Sequence, residues 1–167
     1  MNKKKLLVIV AGGGFYQETE YLMEKLLKLI ENNFKVYYLT SQRALKNKKL
    51  LINAPVFLIS PVMTRDVKYL YQKILRLVRA FMEIGKIFIT INPDVVLWIG
   101  DIIGIPAALW AKCLFKEVVF IESVTRVKTP SLTGKIVSTL RLADKIYVQW
   151  PEGEKIYKKA EYKGWIL

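Results

Sequence analysis

The chain has 167 residues, 53% of them hydrophobic, and carries 27 Lys and Arg against 14 Asp and Glu, a formal net charge of +13. That is enough apolar material for the core of one ordinary domain, and it excludes wholesale disorder. The absence of histidine excludes mechanisms built on a histidine base and His-containing zinc sites; a single cysteine, Cys113, excludes an internal disulfide and any cysteine-rich metal cluster. No metal site is expected.

The N-terminus opens on Lys3-Lys4-Lys5, but its apolar run stops at Gly12, too short for a secretory leader. The longest uncharged apolar stretch, 102–111, is half of what a spanning helix needs and holds Gly104 and Pro106. A soluble or peripheral chain is expected. Residues 32–90 contain eleven basic and two acidic side chains, so the positive excess is a patch and suits an anionic surface.

In chain order, residues 5–11 form a continuous apolar run ending in glycines, as a buried parallel strand does. Leu22, Leu26, Leu27, Leu29 and Ile30 recur at helical spacing and predict a helix over 19–30. A second strand is expected at 34–39, a basic loop at 40–54, and a third strand at 56–59, stopped by Ser60-Pro61. The longest helical pattern covers 65–90. There Val67, Leu70, Tyr71, Ile74, Leu75, Val78, Phe81 and Met82 define one apolar face. Arg65, Lys68, Gln72, Arg76, Arg79, Glu83 and Lys86 lie opposite, and Leu77, Ile84 and Ile87 extend the apolar side beyond a simple core contact. This helix reads either as a surface for anionic lipid or as a core helix with a solvated basic face. Strands follow at 95–99, 118–121 and 145–150, with helices at 105–115 and 131–142 between them. Six strands interleaved with helices predict an α/β fold with a parallel, Rossmann-like sheet in one domain over 1–167.

Ligands of such sheets bind beyond the carboxyl ends of the strands, which selects three loops. Gly12-Gly13-Gly14 reads either as a backbone cradle for a phosphate or as a turn made for tight packing, since no full G-x-G-x-x-G is present. The second loop is Trp98-Ile99-Gly100-Asp101. The third starts at Glu122-Ser123 and runs through Arg126 to Ser131-Leu132-Thr133-Gly134-Lys135. It reads either as a holder of sugar hydroxyls or a diphosphate, or as helix capping by Ser131 or Thr133.

The blocks Ile121-Glu122-Ser123-Val124-Thr125-Arg126-Val127, Ser131-Leu132-Thr133-Gly134-Lys135 and Ala143-Asp144-Lys145-Ile146-Tyr147-Val148-Gln149-Trp150-Pro151-Glu152 resemble one family. It comprises the smaller, membrane-associated subunit of the two-part UDP-N-acetylglucosamine transferase of dolichol-linked oligosaccharide synthesis, with bacterial counterparts in polysaccharide synthesis. Pro93-Asp94 to Gly100 and Ala160-Glu161-Tyr162-Lys163-Gly164 are similar too. The resemblance implies the N-terminal, acceptor-side half of a split GT-B glycosyltransferase, inactive alone and needing no cofactor. A separate subunit would hold the UDP-sugar, and the acceptor would be a lipid-linked sugar. The family's first loop usually reads Gly-Gly-His with a Glu a few residues on. Here Gly13-Gly14 match, Phe15 stands where the histidine would be, and Glu18 is the matching acid.

Glu18 and Glu122 are then the candidate catalytic bases, with Asp101 third. Gly12, Gly13, Gly14, Arg126, Ser131, Thr133 and Gly134, with Asp101, are candidates for the acceptor and its diphosphate. Many family members carry an N-terminal transmembrane helix that is not seen here. Attachment to the cytoplasmic face of a membrane is therefore expected through Arg65, Lys68, Arg76 and Arg79, or through the partner. Partner docking is expected around 150–167, with Gln149, Trp150 and Trp165. The alternative is a scaffold that only recruits the catalytic subunit. Nucleic-acid binding is not expected, because the aromatics fall in strands and on apolar helix faces instead of interleaving with basic residues.

Overall fold

A strand buried on both faces has no place for polar alternation, and the apolar runs ending in Val10 and Ile99 form the two central strands of the sheet. These are β1 (Lys4–Val10) and β4 (Val95–Ile99). The structure is a computed structural model that describes residues 3–41, 54–62 and 69–166. The other strands are β2 (Phe34–Ser41), β3 (Val56–Ile59), β5 (Glu117–Ile121), β6 (Lys145–Val148) and β7 (Ala160–Tyr162). They join one seven-stranded sheet in the order β3-β2-β1-β4-β5-β6-β7, and every pairing is parallel. The helices are α1 (Gly14–Ile30), α2 (Leu70–Ile91), α3 (Gly104–Cys113) and α4 (Leu132–Thr139), with a short 3₁₀ turn at Pro151–Lys155.

Crossovers between parallel strands are right-handed almost without exception. Helix α1 carries the chain from β1 outward to β2, whereas α2, α3 and α4 carry it in the other direction, so they lie on opposite faces. The packing agrees. Leu7, Ile9, Val96, Trp98, Val118 and Phe120 face a core closed by α2, α3 and α4. Leu6, Val8, Val10, Leu97, Ile99 and Ile121 face the smaller core under α1. Among the described residues, α1 is the one helix on its face, and it does not reach across β4, β5 and β6. An apolar groove of about 660 Å³ remains there, between Leu22 and Leu26 of α1, the strand residues Leu97, Val119 and Tyr147, and the segment with Trp165 and Ile166.

Helix α2 buries a side other than the apolar face read in the sequence. Its buried side is Ala80, Ile84, Ile87, Phe88 and Ile91, with Leu77 partly buried beside them, so Ile84 and Ile87 do not extend an outer apolar surface. Tyr71, Ile74, Leu75, Val78 and Met82, from the face read in the sequence, are exposed. Two apolar stripes run along this helix, and close approach to α3 decides between them. Gly85 lies flat against the Trp110 indole, where any Cβ would overlap the ring. Trp110 in turn stacks on Phe81 with ring centroids 5.0 Å apart and donates its indole N–H to the Phe81 carbonyl at 2.8 Å. Glu83 pins the helix to the end of β3, accepting from the Ser60 N–H at 2.7 Å and the Ser60 hydroxyl at 2.8 Å.

Elsewhere α1 starts five residues before the predicted 19, α4 ends at Thr139 instead of reaching 142, and a seventh strand, β7, follows the predicted last one. The chain turns out of α4 through Arg141, whose φ is 50°.

Candidate functional site

Because every strand is parallel, β1, β4, β5 and β6 deliver their following loops to a single edge. At the end of β1, Gly13 adopts φ 66° and ψ −139°, a region in which a Cβ is strained. Helix α1 therefore starts abruptly at Gly14 with no side-chain cap, leaving first-turn amides open at its positive end. Gly12, Gly13 and Gly14 are exposed, and a Cβ placed on Gly13 or Gly14 would meet nothing within 4 Å. The space in front of the turn is open at these two positions. Phe15 folds inward, its ring against the Cα of Gly100.

Glu18 is one turn into α1 and only 3% exposed. Its carboxylate accepts the Ser123 hydroxyl at 2.6 Å, the Val124 N–H at 3.0 Å and the Gln149 side-chain amide at 2.7 Å. Glu122, 1% exposed, ends β5. It accepts the Ser123 N–H at 3.0 Å, the Ser131 N–H at 3.3 Å and the Ser131 hydroxyl at 2.8 Å, together with a very short bond from the Tyr157 hydroxyl. Burial and the adjoining carboxylate raise the Tyr157 pKa well above the ordinary phenol range, so this hydroxyl stays a donor. Both carboxylates are stabilised by hydrogen bonds, among the described residues no cation pairs with either, and both are shut away from solvent.

The structure gives Ser131, Thr133 and Gly134 internal positions. Ser131 caps α4, its hydroxyl oxygen accepting the Gly134 N–H at 2.8 Å while donating to Glu122. Thr133 is buried, and a Cβ on Gly134 would overlap Tyr157 and Glu122. Arg126, by contrast, is exposed beyond the end of β5.

Asp101 follows Gly100, whose φ is 59°. Its carboxylate accepts the Ile103 N–H at 2.9 Å, and its carbonyl accepts the Trp98 indole N–H at 3.2 Å. Burial pushes the Asp101 pKa up, against the pull of the Ile103 and Ile102 amides. A raised folded-state pKa means that ionisation opposes folding: stability is full below the unfolded-state value near 4 and is lost as pH rises through the folded one. Asp101→Asn keeps an acceptor for Ile103 and removes that penalty. It is expected to melt above wild type at pH 7, by about 2–4 °C for each kcal/mol relieved. The difference should vanish below about pH 4, and thermal melts from pH 3 to 8 check it.

Gln149 and Trp150 leave β6 toward the same edge. Trp150 donates its indole N–H to the Val124 carbonyl at 2.6 Å and packs against Trp165 at 4.7 Å. Gln149 is buried, and Trp165 is 56% exposed. Arg79 is exposed on α2 and paired with Glu83 at 2.9 Å, and Arg76 is partly exposed on the same helix. Arg65 and Lys68 lie outside the described residues. Sequence reasoning missed Ser123 as a hub and Tyr157 altogether. The Glu-Ser dipeptide at a strand end pointed to the first; nothing in the lysine-rich run around Tyr157 pointed to the second.

The fold is that of one half of a GT-B glycosyltransferase. MurG of Acinetobacter baumannii superposes on 95% of this chain and 45% of its own, with a TM-score of 0.74 at 17% identity. Residues 6–166 match the family described as "Oligosaccharide biosynthesis protein Alg14 like", and the chain belongs to that family. Among its relatives is the UDP-N-acetylglucosamine transferase subunit ALG14 of Rattus norvegicus, 40% identical over 83 residues, which are 46% of this chain and 38% of the relative. The alg14 subunit of Schizosaccharomyces pombe is 38% identical over 79 residues, 43% of this chain and 36% of the relative. The matches thus span less than two-fifths of those relatives' own lengths. Among the described residues no helix is long and apolar enough to cross a membrane.

Proposed function

We propose that this chain is the acceptor-side, membrane-recruiting subunit of a heteromeric transferase that moves N-acetylglucosamine or a related hexose from a UDP-sugar to a lipid-linked sugar. The observation that carries the reading is the edge where the loops after β1, β4, β5 and β6 meet, on a sheet whose α1 face keeps, among the described residues, an open apolar groove. The relatives named as subunits of a UDP-N-acetylglucosamine transferase support the reaction class. The open groove beside Trp165 and Ile166 suits an apolar segment of the subunit that holds the UDP-sugar. The exposed apolar stripe of α2, with Arg79 and Lys86 exposed on the same helix, suits peripheral attachment to the anionic cytoplasmic face of a membrane.

In the transfer, the acceptor hydroxyl oxygen bonds to the anomeric carbon, the bond from that carbon to the UDP oxygen breaks, and the hydroxyl proton passes to a base. Asp101, half-buried and raised in pKa, is the carboxylate best placed to take it. The Gly12-Gly13-Gly14 amides and Arg126 hold the acceptor's diphosphate. Glu18 and Glu122 keep these loops in place and act through them.

The test is to co-express this chain with a candidate UDP-sugar-binding subunit and assay transfer to a lipid-linked sugar, omitting each chain in turn. Activity only with both is expected; robust turnover by either alone refutes the proposal. The full internal use of Glu18 and Glu122 favours a second reading, a scaffold that recruits the catalytic subunit and touches no substrate. Arg126→Gln separates the two. The transferase reading expects KM for the acceptor to rise about tenfold, from loss of one charged hydrogen bond. A scaffold expects no change.

A further inference from the structure

Gln149 is 2% exposed, and its amide is fully used. Its nitrogen donates to the Glu18 carboxylate at 2.7 Å and to the Glu122 carbonyl at 3.0 Å. Its oxygen accepts the Ile166 N–H at 3.2 Å. These partners fix the amide orientation, because a flipped amide would set oxygen against a carboxylate and N–H against N–H. The Ile166 carbonyl is held in turn by the Lys25 ammonium of α1 at 3.0 Å. One side chain therefore connects the segment at the rim of the groove with the buried Glu18 carboxylate and with the backbone of Glu122. A parallel route runs from Trp165 through Trp150 to the Val124 carbonyl.

The loop after β5 has few other anchors. Val124 is held by Glu18 at its N–H and by Trp150 at its carbonyl, and the Ser123 hydroxyl is held by Glu18. Arg126 follows directly, its N–H donating to the Ser123 carbonyl at 3.0 Å. Ile166 and Trp165 are thus linked by hydrogen bonds and ring packing to the loop that presents Arg126.

We propose that Gln149 is a positioning residue that couples occupation of the groove beside Ile166 to the geometry of the Glu122–Arg126 loop, so that the UDP-sugar subunit, on docking, orders the acceptor loop through it. The inference rests on the proposed two-subunit function for the identity of the occupant, but the internal link stands in the chain by itself.

The link is tested by amide hydrogen exchange on the full chain, read by NMR. Ile166→Pro removes the N–H that Gln149 accepts, and Ile166→Ala, which keeps the N–H, is the reference for the lost side chain. Exchange at Val124 is expected to be about tenfold faster in the proline variant than in the alanine one, the effect of one net hydrogen bond. The Ser60 amide, bound to Glu83 near β3, should not change. Equal exchange at Val124 in the two variants overturns the inference, and so does an equal acceleration at Ser60, which would mean general loosening. In the co-purified complex Val124 should slow further relative to the free chain; a complex that leaves Val124 unchanged also overturns the coupling. If no complex forms, the two-subunit function falls, while the proline and alanine comparison still decides the internal link.

Discussion

Glu122→Ala is expected to destabilise the protein by about 3–5 kcal/mol, because several buried donors lose a charged acceptor and such bonds contribute ~1.5–3 kcal/mol each. The carboxylate accepts from the Ser123 and Ser131 amides and from the Ser131 and Tyr157 hydroxyls, all within a region closed to solvent. Alanine leaves these donors facing a cavity, and each unsatisfied buried group costs about 1–3 kcal/mol. The hydroxyls can rotate to other acceptors and the Ser131 amide keeps the Tyr157 hydroxyl at 3.1 Å, so the loss falls short of the simple sum. Glu122→Gln keeps the volume and one acceptor oxygen, and the adjoining hydroxyls can turn to accept from its new N–H groups. It should lose markedly less than alanine. Urea unfolding of the three proteins checks the order; an alanine variant within about 0.5 kcal/mol of wild type, the usual surface effect, would show that the cluster is not what joins β5 to α4 and Tyr157.

That cluster also marks the limit of what the amino-acid order reveals. Short unbroken apolar runs bounded by turn residues announce strands, so β3 at the sheet edge and the buried β4 occupy the residues expected, 56–59 and 95–99. The first turn of α1 carries no extended apolar stripe, although Phe15 and Tyr16 pack into the core. β7 is only three residues long, too short for any period to show. Glu18 and Glu122 were legible as acids at the carboxyl edge because parallel topology sends every strand end there. Their burial was not, because it depends on partners distant in the chain: Gln149 lies 131 residues from Glu18, and Tyr157 lies 35 from Glu122. The orientation of α2 was ambiguous for a different reason. Leu77, Ala80, Ile84, Ile87 and Ile91 keep helical spacing as faithfully as Tyr71, Ile74, Leu75, Val78 and Met82. Only the second set stays outside.

The buried side of α2 changes which residues should bind a membrane. Ile74, Leu75 and Val78 are more than half exposed, whereas Ile84 is closed to solvent. Exposed aliphatic side chains on a helix with basic neighbours and little acidic charge can enter the headgroup boundary with their apolar tips. Each contributes on the order of 1 kcal/mol when partly buried, below the ~1.5–3 kcal/mol of full burial. Changing Ile74, Leu75 and Val78 together to serine is therefore expected to weaken binding to anionic vesicles about 100-fold, since ~1.4 kcal/mol is tenfold. The melting temperature should hardly move, because none of the three supports the core. Ile84→Ala should do the reverse, losing about 2–5 kcal/mol of stability while a folded remainder still binds vesicles. Arg76→Gln with Arg79→Gln addresses the electrostatic part, which should fade with salt as the Debye length shrinks from ~10 Å at 0.1 M to ~3 Å at 1 M. The serine variant should keep that salt dependence and lose the salt-resistant portion. Co-sedimentation with vesicles of neutral and of anionic lipid, at both salt levels, measures each. Undiminished binding by the serine variant would mean that the exposed stripe of α2 does not enter the membrane and that its apolar surface faces something else.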